Sequence, residues 1–303
     1  MTQPRILVIR LGALGDFVQS FGPFQAIRTA HPTAHITLLT TAPFVALAGL
    51  SPWFDTVEVD PRPAWGNLPA LLRLRQMLCG YDRVYDLQTS SRTARYYALA
   101  GSPEMWCGHV GRSPLVHANP WRNEMHTRTR QQDQLRGAGL TETPIPDVSW
   151  LAGQGPQLET PYVLIVPGAS PHRPAKRWPV RRYAELAACL ESRGLRPVVV
   201  GSGVDKPLAV AIKQVCPQAL DMTGQTSLPE LAGLAARAKA AVGNDTGPMH
   251  LAAIMGCQSV VLFSADSNPA LTAPLGRAPG QVCVLSVRDL ATLSVNRVAA
   301  ALS

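Results

Sequence analysis

Three short stretches carry side chains whose types and spacing could do chemistry. The first is RLGALGDFVQS, residues 10–20, directly after an apolar run over residues 6–9. Its glycines invite comparison with a dinucleotide-binding turn, which needs G-x-G-x-x-G and an acidic residue closing the second strand. Leu14 stands where that spacing needs glycine, and the second strand ends in Thr40 and Thr41, so nicotinamide binding by an oxidoreductase is not expected. What the turn does offer is Asp16 at the start of a helix. Two readings of it stay open from position alone. A capping carboxylate would accept backbone N–H groups and gain from the helix dipole. A general base would sit at the mouth of a cleft, where the strand-to-helix turn ends.

The second stretch is VPGASPHRPAKRWP, residues 166–179. Pro179 is expected at an early helix position, which leaves Lys176 and Arg177 on a loop at the carboxyl end of a strand. A lysine there can meet a phosphate as a point charge; the alternative is solvated loop charge beside a packed Trp178. In the third stretch, AVGNDTGPMHLAAIMG, a strand runs into Asn244-Asp245-Thr246-Gly247 and a helix opens with Pro248. Backbone N–H groups at Thr246 and Gly247 would then face an anion. Asp245 could accept sugar hydroxyls, and His250 reads either as a packed histidine or as a ligand. Two anion-binding devices in the second half and a carboxylate in the first suggest a nucleotide diphosphate meeting a hydroxyl-bearing acceptor.

The elements that must position these residues alternate. In the first half, strands are expected over residues 5–10, 36–40, 56–60 and 83–87, with helices over 16–29, 43–50, 68–78 and 92–100. A turn-rich stretch over 101–121 and a polar helix bearing Arg128, Arg130 and Arg136 follow. LAGQGPQLETP, residues 151–161, has no periodicity and reads as a linker. Beyond it come strands over 162–166, 197–200, 240–243, 259–263 and 281–285. Helices are expected between them over 180–193, 206–215, 228–238 and 248–255, with a last one over 289–302. Such alternation calls for parallel sheets with right-handed crossovers. The expected architecture is α/β, two doubly wound Rossmann-like domains facing a central cleft, over residues 1–155 and 156–303.

Composition narrows the classes. With 303 residues, 46% of them hydrophobic and 16% charged, the chain can bury substantial cores. Six scattered cysteines without a CxxC pair argue against a disulfide framework or a zinc site, and the chain start lacks a signal-peptide pattern. A cytoplasmic protein is expected. The net charge of +8 rests on 24 arginines and four lysines, divided 14 and 14 between residues 1–150 and the rest. No basic block stands out, so nucleic acid is not an expected partner. A diffuse positive field suits an anionic small molecule or a phosphorylated membrane surface. The nearest thing to an acidic metal motif, Glu58-Val59-Asp60, reads as a polar strand end, and no metal is expected.

In this order, RLGALGDFVQS, PGAS…KRWP, GQTSLPELA (residues 224–232) and NDTGPMHLAAIMG resemble glycosyltransferase family 9, the bacterial ADP-heptose:lipopolysaccharide heptosyltransferases. The resemblance runs over nearly the whole chain. It implies a GT-B fold and inverting transfer from an ADP-sugar, without metal or cofactor, to an anionic inner-core lipopolysaccharide acceptor. Carried over by motif, Asp16 would deprotonate the acceptor hydroxyl and Lys176 would neutralise the departing diphosphate. Ser170, Thr246 and Gly247 would contact phosphate oxygens, Asp245 and His250 the sugar and phosphate region, and Thr226 the nucleoside. The family usually has an acidic residue at the donor ribose; Asp205 would be its occupant here, since Gly203 stands where some relatives have glutamate. Arg62, Gln88, Arg92, Arg112 and Arg130 lie in segments corresponding to the acceptor side. Contact with the inner face of the cytoplasmic membrane would be peripheral. A non-catalytic sugar-binding relative, or a family member with another nucleotide sugar or acceptor, is the alternative.

Overall fold

The computed structural model describes residues 3–170 and 172–302; Pro171, in the middle of the second chemical stretch, lies outside the described residues. The chain forms two compact units, Met1–Asp147 and Val148–Ser303. The first contains β1 (Arg5–Ile9), α1 (Leu14–Gln19), α2 (Phe21–Ala30), β2 (His35–Thr40), α3 (Val45–Gly49), β3 (Thr56–Val59), α4 (Leu68–Leu78), β4 (Arg83–Asp86), α5 (Ser91–Leu99), β5 (Trp106–Cys107) and α6 (Thr127–Gly137). The second contains α7 (Ser149–Ala152), β6 (Tyr162–Val166), α8 (Val180–Glu191), β7 (Arg196–Val199), α9 (Lys206–Val215), β8 (Leu220–Asp221), α10 (Leu228–Arg237), β9 (Ala240–Asn244), α11 (Gly247–Ile254), β10 (Ser259–Phe263), α12 (Pro269–Thr272), β11 (Val282–Ser286) and α13 (Val295–Ala301). The division falls earlier than the 155/156 boundary expected from sequence, because α7 packs on α10 and so belongs to the second unit.

Each unit is built on a parallel sheet. The order is β3-β2-β1-β4-β5 in the first and β11-β10-β9-β6-β7-β8 in the second. In both, the first strand of the unit lies inside the sheet, and the chain winds away from it first to one side and then to the other. Loops leaving the carboxyl ends of the strands at this switch point diverge and open a crevice, the place where doubly wound sheets bind ligands. In the first unit the switch point lies between β1 and β4, and in the second between β6 and β9. The turn bearing Asp16 follows β1; the Lys176 and Asp245 loops follow β6 and β9.

Several expected elements divide. The helix expected over 16–29 is two, α1 and α2, joined at Ser20, and the one expected over 43–50 is a 3-10 turn followed by α3. The last helix likewise starts as a 3-10 turn at Leu290–Thr292. The short strands β5 and β8 were not anticipated, since two residues carry no periodicity. The first core clusters aromatic rings beneath the opening turn: Phe17 stacks on Phe44 (centroids 4.7 Å apart) and meets Phe24 edge-on at 5.5 Å. Burying such a ring contributes about 1.5–3 kcal/mol, and Phe17 is the residue that fixes α1 with its neighbour Asp16 turned outward.

Candidate functional site

In the first unit the glycine turn is gripped from several sides. Gly12 has φ +124°, open to glycine, and a Cβ there would meet the Phe44 ring at 3.0 Å. The Leu11 N–H donates to Gln88 Oε1 (2.9 Å), and its carbonyl accepts from Thr41 Oγ1 (3.1 Å) and Arg62 Nη2 (3.5 Å). Helix α1 is capped at Ala13 without a side-chain bond, so Asp16 is not the cap that its position suggested. Its carbonyl accepts from Ser20 Oγ, which in turn accepts from Gln131 Nε2 of α6 (both 2.9 Å). The Asp16 carboxylate is 42% exposed and lies 3.5 Å from the guanidinium of Arg10, itself only 3% exposed.

Arg10 links the exposed carboxylate to a buried one. Its Nη1 donates to the Leu87 carbonyl, while its Nε, also buried, has no protein partner. Burial pulls the Arg10 pKa down; Asp16 and Asp86 pull it up, against Arg130. Asp86, at the end of β4, is fully buried. Its Oδ1 accepts from the Gln88 and Thr89 N–H groups (3.1 and 2.9 Å), and its Oδ2 is unpartnered. Burial pushes this carboxyl up to about 6, opposed by the Thr89, Thr93 and Gln88 bonds and by Arg10. Asp86 thus shapes the loop whose Gln88 holds the opening turn, and Asp86 is in the electrostatic reach of the Arg10 beneath Asp16.

A string of bases continues from there. Asp133 accepts from His117 Nε2 (2.7 Å), and Arg122 Nε donates to His117 Nδ1 at 3.5 Å, which leaves Arg122 Nη2 buried without a protein partner. The His109 pKa is lowered first by burial and then by Arg122, Arg130 and His117. Donor-rich and only partly satisfied, buried Arg10 and half-buried Arg122 are suited to an anion. Neither belonged to the residues singled out in the sequence, and nor did Asp86 or His109. Asp86 and Arg10 each stand at a strand's carboxyl end, which was the available signal. Arg122 and His109 lie in turn-rich chain without periodicity.

The residues expected on the acceptor side are not equivalent. Gln88 spends its side-chain oxygen on the turn, so it positions that turn. Arg62 adopts a left-handed φ of 43° and reaches the same turn. Arg92 Nη1 lies 3.4 Å from Tyr96 Oη and its guanidinium 5.9 Å from the Trp65 ring. Arg112 uses its backbone N–H on Tyr97 Oη (3.2 Å) and leaves its side chain exposed. Arg130 lies on α6 and contributes positive potential at Arg10, Arg122 and His109. Asp60, the candidate metal-motif acid, accepts from Arg62 N–H (2.9 Å) and Tyr96 Oη (2.7 Å) and so closes its own strand end.

In the second unit, Lys176 Nζ and Asp245 Oδ2 meet at 2.6 Å, with side chains 13% and 7% exposed. Lys176 ends a 3-10 turn, and Pro179 is the residue before α8, one step earlier than expected. Asn244, wholly buried, fastens this arrangement. Its Nδ2 donates to the Pro167 and Gly168 carbonyls (2.8 and 3.3 Å), and its Oδ1 accepts from Trp178 N–H (2.9 Å) and Tyr183 Oη (3.0 Å). One amide therefore ties the end of β9 to both halves of the loop after β6. Arg177 Nη2 closes the same loop onto the Ala169 carbonyl (2.9 Å), and Ser170 is exposed on it.

The other candidates sit on neighbouring loops of the same sheet edge. Thr246 caps α11 with no side-chain bond, Gly247 opens the helix, and His250 is buried in it. Asp205, after β7, accepts from Ser202 N–H and Oγ (2.9 and 2.8 Å), and its Oδ1 would lie 2.5 Å from a Cβ at Gly168, so the glycine makes room for it. The Gly224 N–H donates to the Gly201 carbonyl (2.8 Å), which sets the loop bearing half-buried Thr226 beside that of Asp205. Ser170, Lys176, Asp205, Thr226, Asp245, Thr246 and Gly247 thus occupy loops after β6, β7, β8 and β9. No helix among the described residues is long and apolar enough to cross a membrane.

Residues 122–299 match the family described as glycosyltransferase family 9 (heptosyltransferase). The chain is 33% identical to lipooligosaccharide heptosyltransferase 2 of Haemophilus ducreyi over 90% of its own length and 86% of that relative's. A shorter match, 38% identical to lipooligosaccharide heptosyltransferase 2 of Haemophilus influenzae, spans 39% of this chain and about a third (35%) of that relative. Among solved structures, Escherichia coli ADP-heptose lipopolysaccharide heptosyltransferase II superposes with a TM-score of 0.78 at 26% identity, covering 98% of this chain and 97% of that one.

Proposed function

Since the chain belongs to glycosyltransferase family 9, a family of GT-B heptosyltransferases, we propose that it transfers heptose from ADP-heptose to an inner-core lipopolysaccharide acceptor, with inversion and without a metal. The observation that carries this reading is the gathering of Ser170, Lys176, Asp205, Thr226, Asp245, Thr246 and Gly247 on one carboxyl edge of the second sheet. These groups suit a nucleotide diphosphate-sugar: amide donors at a helix start and an ammonium for the phosphates, carboxylates for sugar hydroxyls.

In the proposed reaction Asp16 takes the proton of the acceptor hydroxyl as that oxygen attacks the anomeric carbon. The bond to the diphosphate breaks, and the charge left on ADP falls on Lys176 and the amides of Thr246 and Gly247. Preorganised donors aimed at developing charge supply most of such a rate enhancement. His250 supports the same helix start from within. Arg130 and Arg122, together with Arg62, Arg92 and Arg112, receive the acceptor's anionic groups. No cofactor is called for. We place the reaction in the cytoplasm, at the inner face of the membrane that carries the acceptor.

Thermal stabilisation by a nucleotide panel tests the donor. A ligand bound only to the folded state stabilises by about 2.7 kcal/mol at a hundredfold excess over Kd. ADP and ADP-heptose are expected to raise the midpoint and UDP and GDP to leave it unchanged; stabilisation by UDP alone would overturn the donor assignment. Turnover unaffected by a chelator, giving a product of opposite anomeric configuration to the donor, is the expected companion result.

A further inference from the structure

Helix α4 has two apolar faces. Leu74 and Leu78 are buried, with Leu71 and Met77 partly so, and they seat the helix on the first unit. Leu68 and Leu72, one turn apart on another face, are 65% and 53% exposed, and Trp65, three residues before Leu68, is 38% exposed. A single exposed leucine needs no explanation, whereas three exposed large apolar side chains within eight residues do. The same segment and its neighbour α5 are rich in cations. Arg73 and Arg75 lie exposed on α4, Arg62 stands in the loop before it, and the Arg92 and Arg95 guanidinium groups of α5 lie 5.9 and 4.9 Å from the Trp65 ring centre. Residues 61–81 and 87–103 contain no Asp or Glu.

We infer that this face, Trp65, Leu68 and Leu72 with the arginines around them, docks the enzyme on a bilayer bearing anionic lipids. Apolar side chains inserted at the headgroup boundary and arginines at the anionic surface are complementary to that partner, and tryptophan favours the same depth. A second copy is a poor occupant, because a two-fold pairing would set five arginines against five with no carboxylate between them. The inference rests on the reading of a membrane-borne acceptor, but vesicle binding tests it without turnover.

The experiment is co-sedimentation of the full chain with vesicles of phosphatidylethanolamine and phosphatidylglycerol, against vesicles of phosphatidylcholine. The wild type is expected to bind the first and not the second, and to be released as salt is raised. Leu68→Ser/Leu72→Ser should lower binding roughly tenfold or more through lost insertion, and Arg73→Gln/Arg75→Gln by roughly 25-fold, about fivefold per arginine. Both variants should keep wild-type thermal midpoints and wild-type turnover on a soluble deacylated acceptor. Failure of the wild type to bind the anionic vesicles overturns the inference and leaves the transferase reading intact if that soluble acceptor is still glycosylated. Equal vesicle binding by wild type and both variants overturns it too, as does a wild-type dimer that the leucine variant dissociates with no change in vesicle binding.

Discussion

The two switch points hold their ionic groups in opposite ways. In the second unit Lys176 and Asp245 are nearly sealed from water and paired at 2.6 Å, braced by an Asn244 amide whose two polar atoms are both satisfied. In the first unit the Asp16 carboxylate is 42% exposed, its contact with Arg10 is a loose 3.5 Å, and the charges behind it keep unpartnered atoms. The difference follows the work each has in the proposed reaction. Stabilising a leaving diphosphate needs dipoles and charges fixed before the substrate arrives. Taking a proton needs a carboxylate that a mobile acceptor can reach and that is not locked into a strong pair.

The largest expected effect comes from breaking the open side. Asp16→Asn keeps the shape of the turn, since no capping bond is lost, and removes the base. Transfer is expected to fall about 10³-fold, within the range for general-base removal, with ADP binding unchanged by calorimetry. Turnover near wild type would move the base out of the first unit. On the closed side, Lys176→Ala is expected to lower turnover about 10²–10³-fold and, by stranding a buried Asp245 charge, to destabilise by about 3–5 kcal/mol in denaturant unfolding. Adding Asp245→Asn should restore most of that stability and none of the activity. Recovery of both, or of neither, would mean that the pair does not divide into a structural and a catalytic share.

How much of this could be read beforehand differs between the same two regions. The second unit was legible because its candidate groups lie in continuous motifs: NDTG and KRWP each place a candidate side chain next to the helix start or strand end that positions it. There the parallel alternation also settled the strands closely. In the first unit the four long strands were equally legible, but of the candidate site only the turn was. The groups behind Asp16 come from β1, β4, the 101–126 stretch and α6, brought together by the sheet order rather than by sequence neighbours. Gln88 shows the cost: nothing in its own stretch of sequence signals that its Oε1 accepts the Leu11 N–H of the turn. The Asp16 cap was misplaced for a related reason, because the helix starts at Leu14, inside the glycine turn.

A smaller effect separates positioning from contact on the closed side. Asn244→Ala removes four hydrogen bonds from a site with no exposure and leaves Trp178 N–H without its partner. The expected cost is about 2–4 kcal/mol, since unsatisfied buried groups cost more than bonds gain, read as a lower unfolding midpoint. Turnover should fall through KM for the donor and through kcat together, because the loops bearing Ser170 and Lys176 both loosen. A stable variant with only kcat reduced would mean that Asn244 acts on the substrate instead.

The smallest effect probes the charge behind Asp16. A free aspartate titrates near 3.9, about two units below the value of about 6 that burial imposes on Asp86. Between these pH values the folded state holds a proton that the unfolded state has released, so stability falls as pH rises through this window, and the penalty is complete above about 6. Asp86→Asn keeps an oxygen for the Gln88 and Thr89 N–H groups and cannot titrate. On acidification from pH 7 to about 4.5, the wild type is therefore expected to gain stability relative to the variant, measured as the difference between their unfolding midpoints. A difference that stays constant over that range would mean that Arg10 holds Asp86 ionised throughout, making the buried carboxylate behind Asp16 as firmly paired as the ion pair of the second unit.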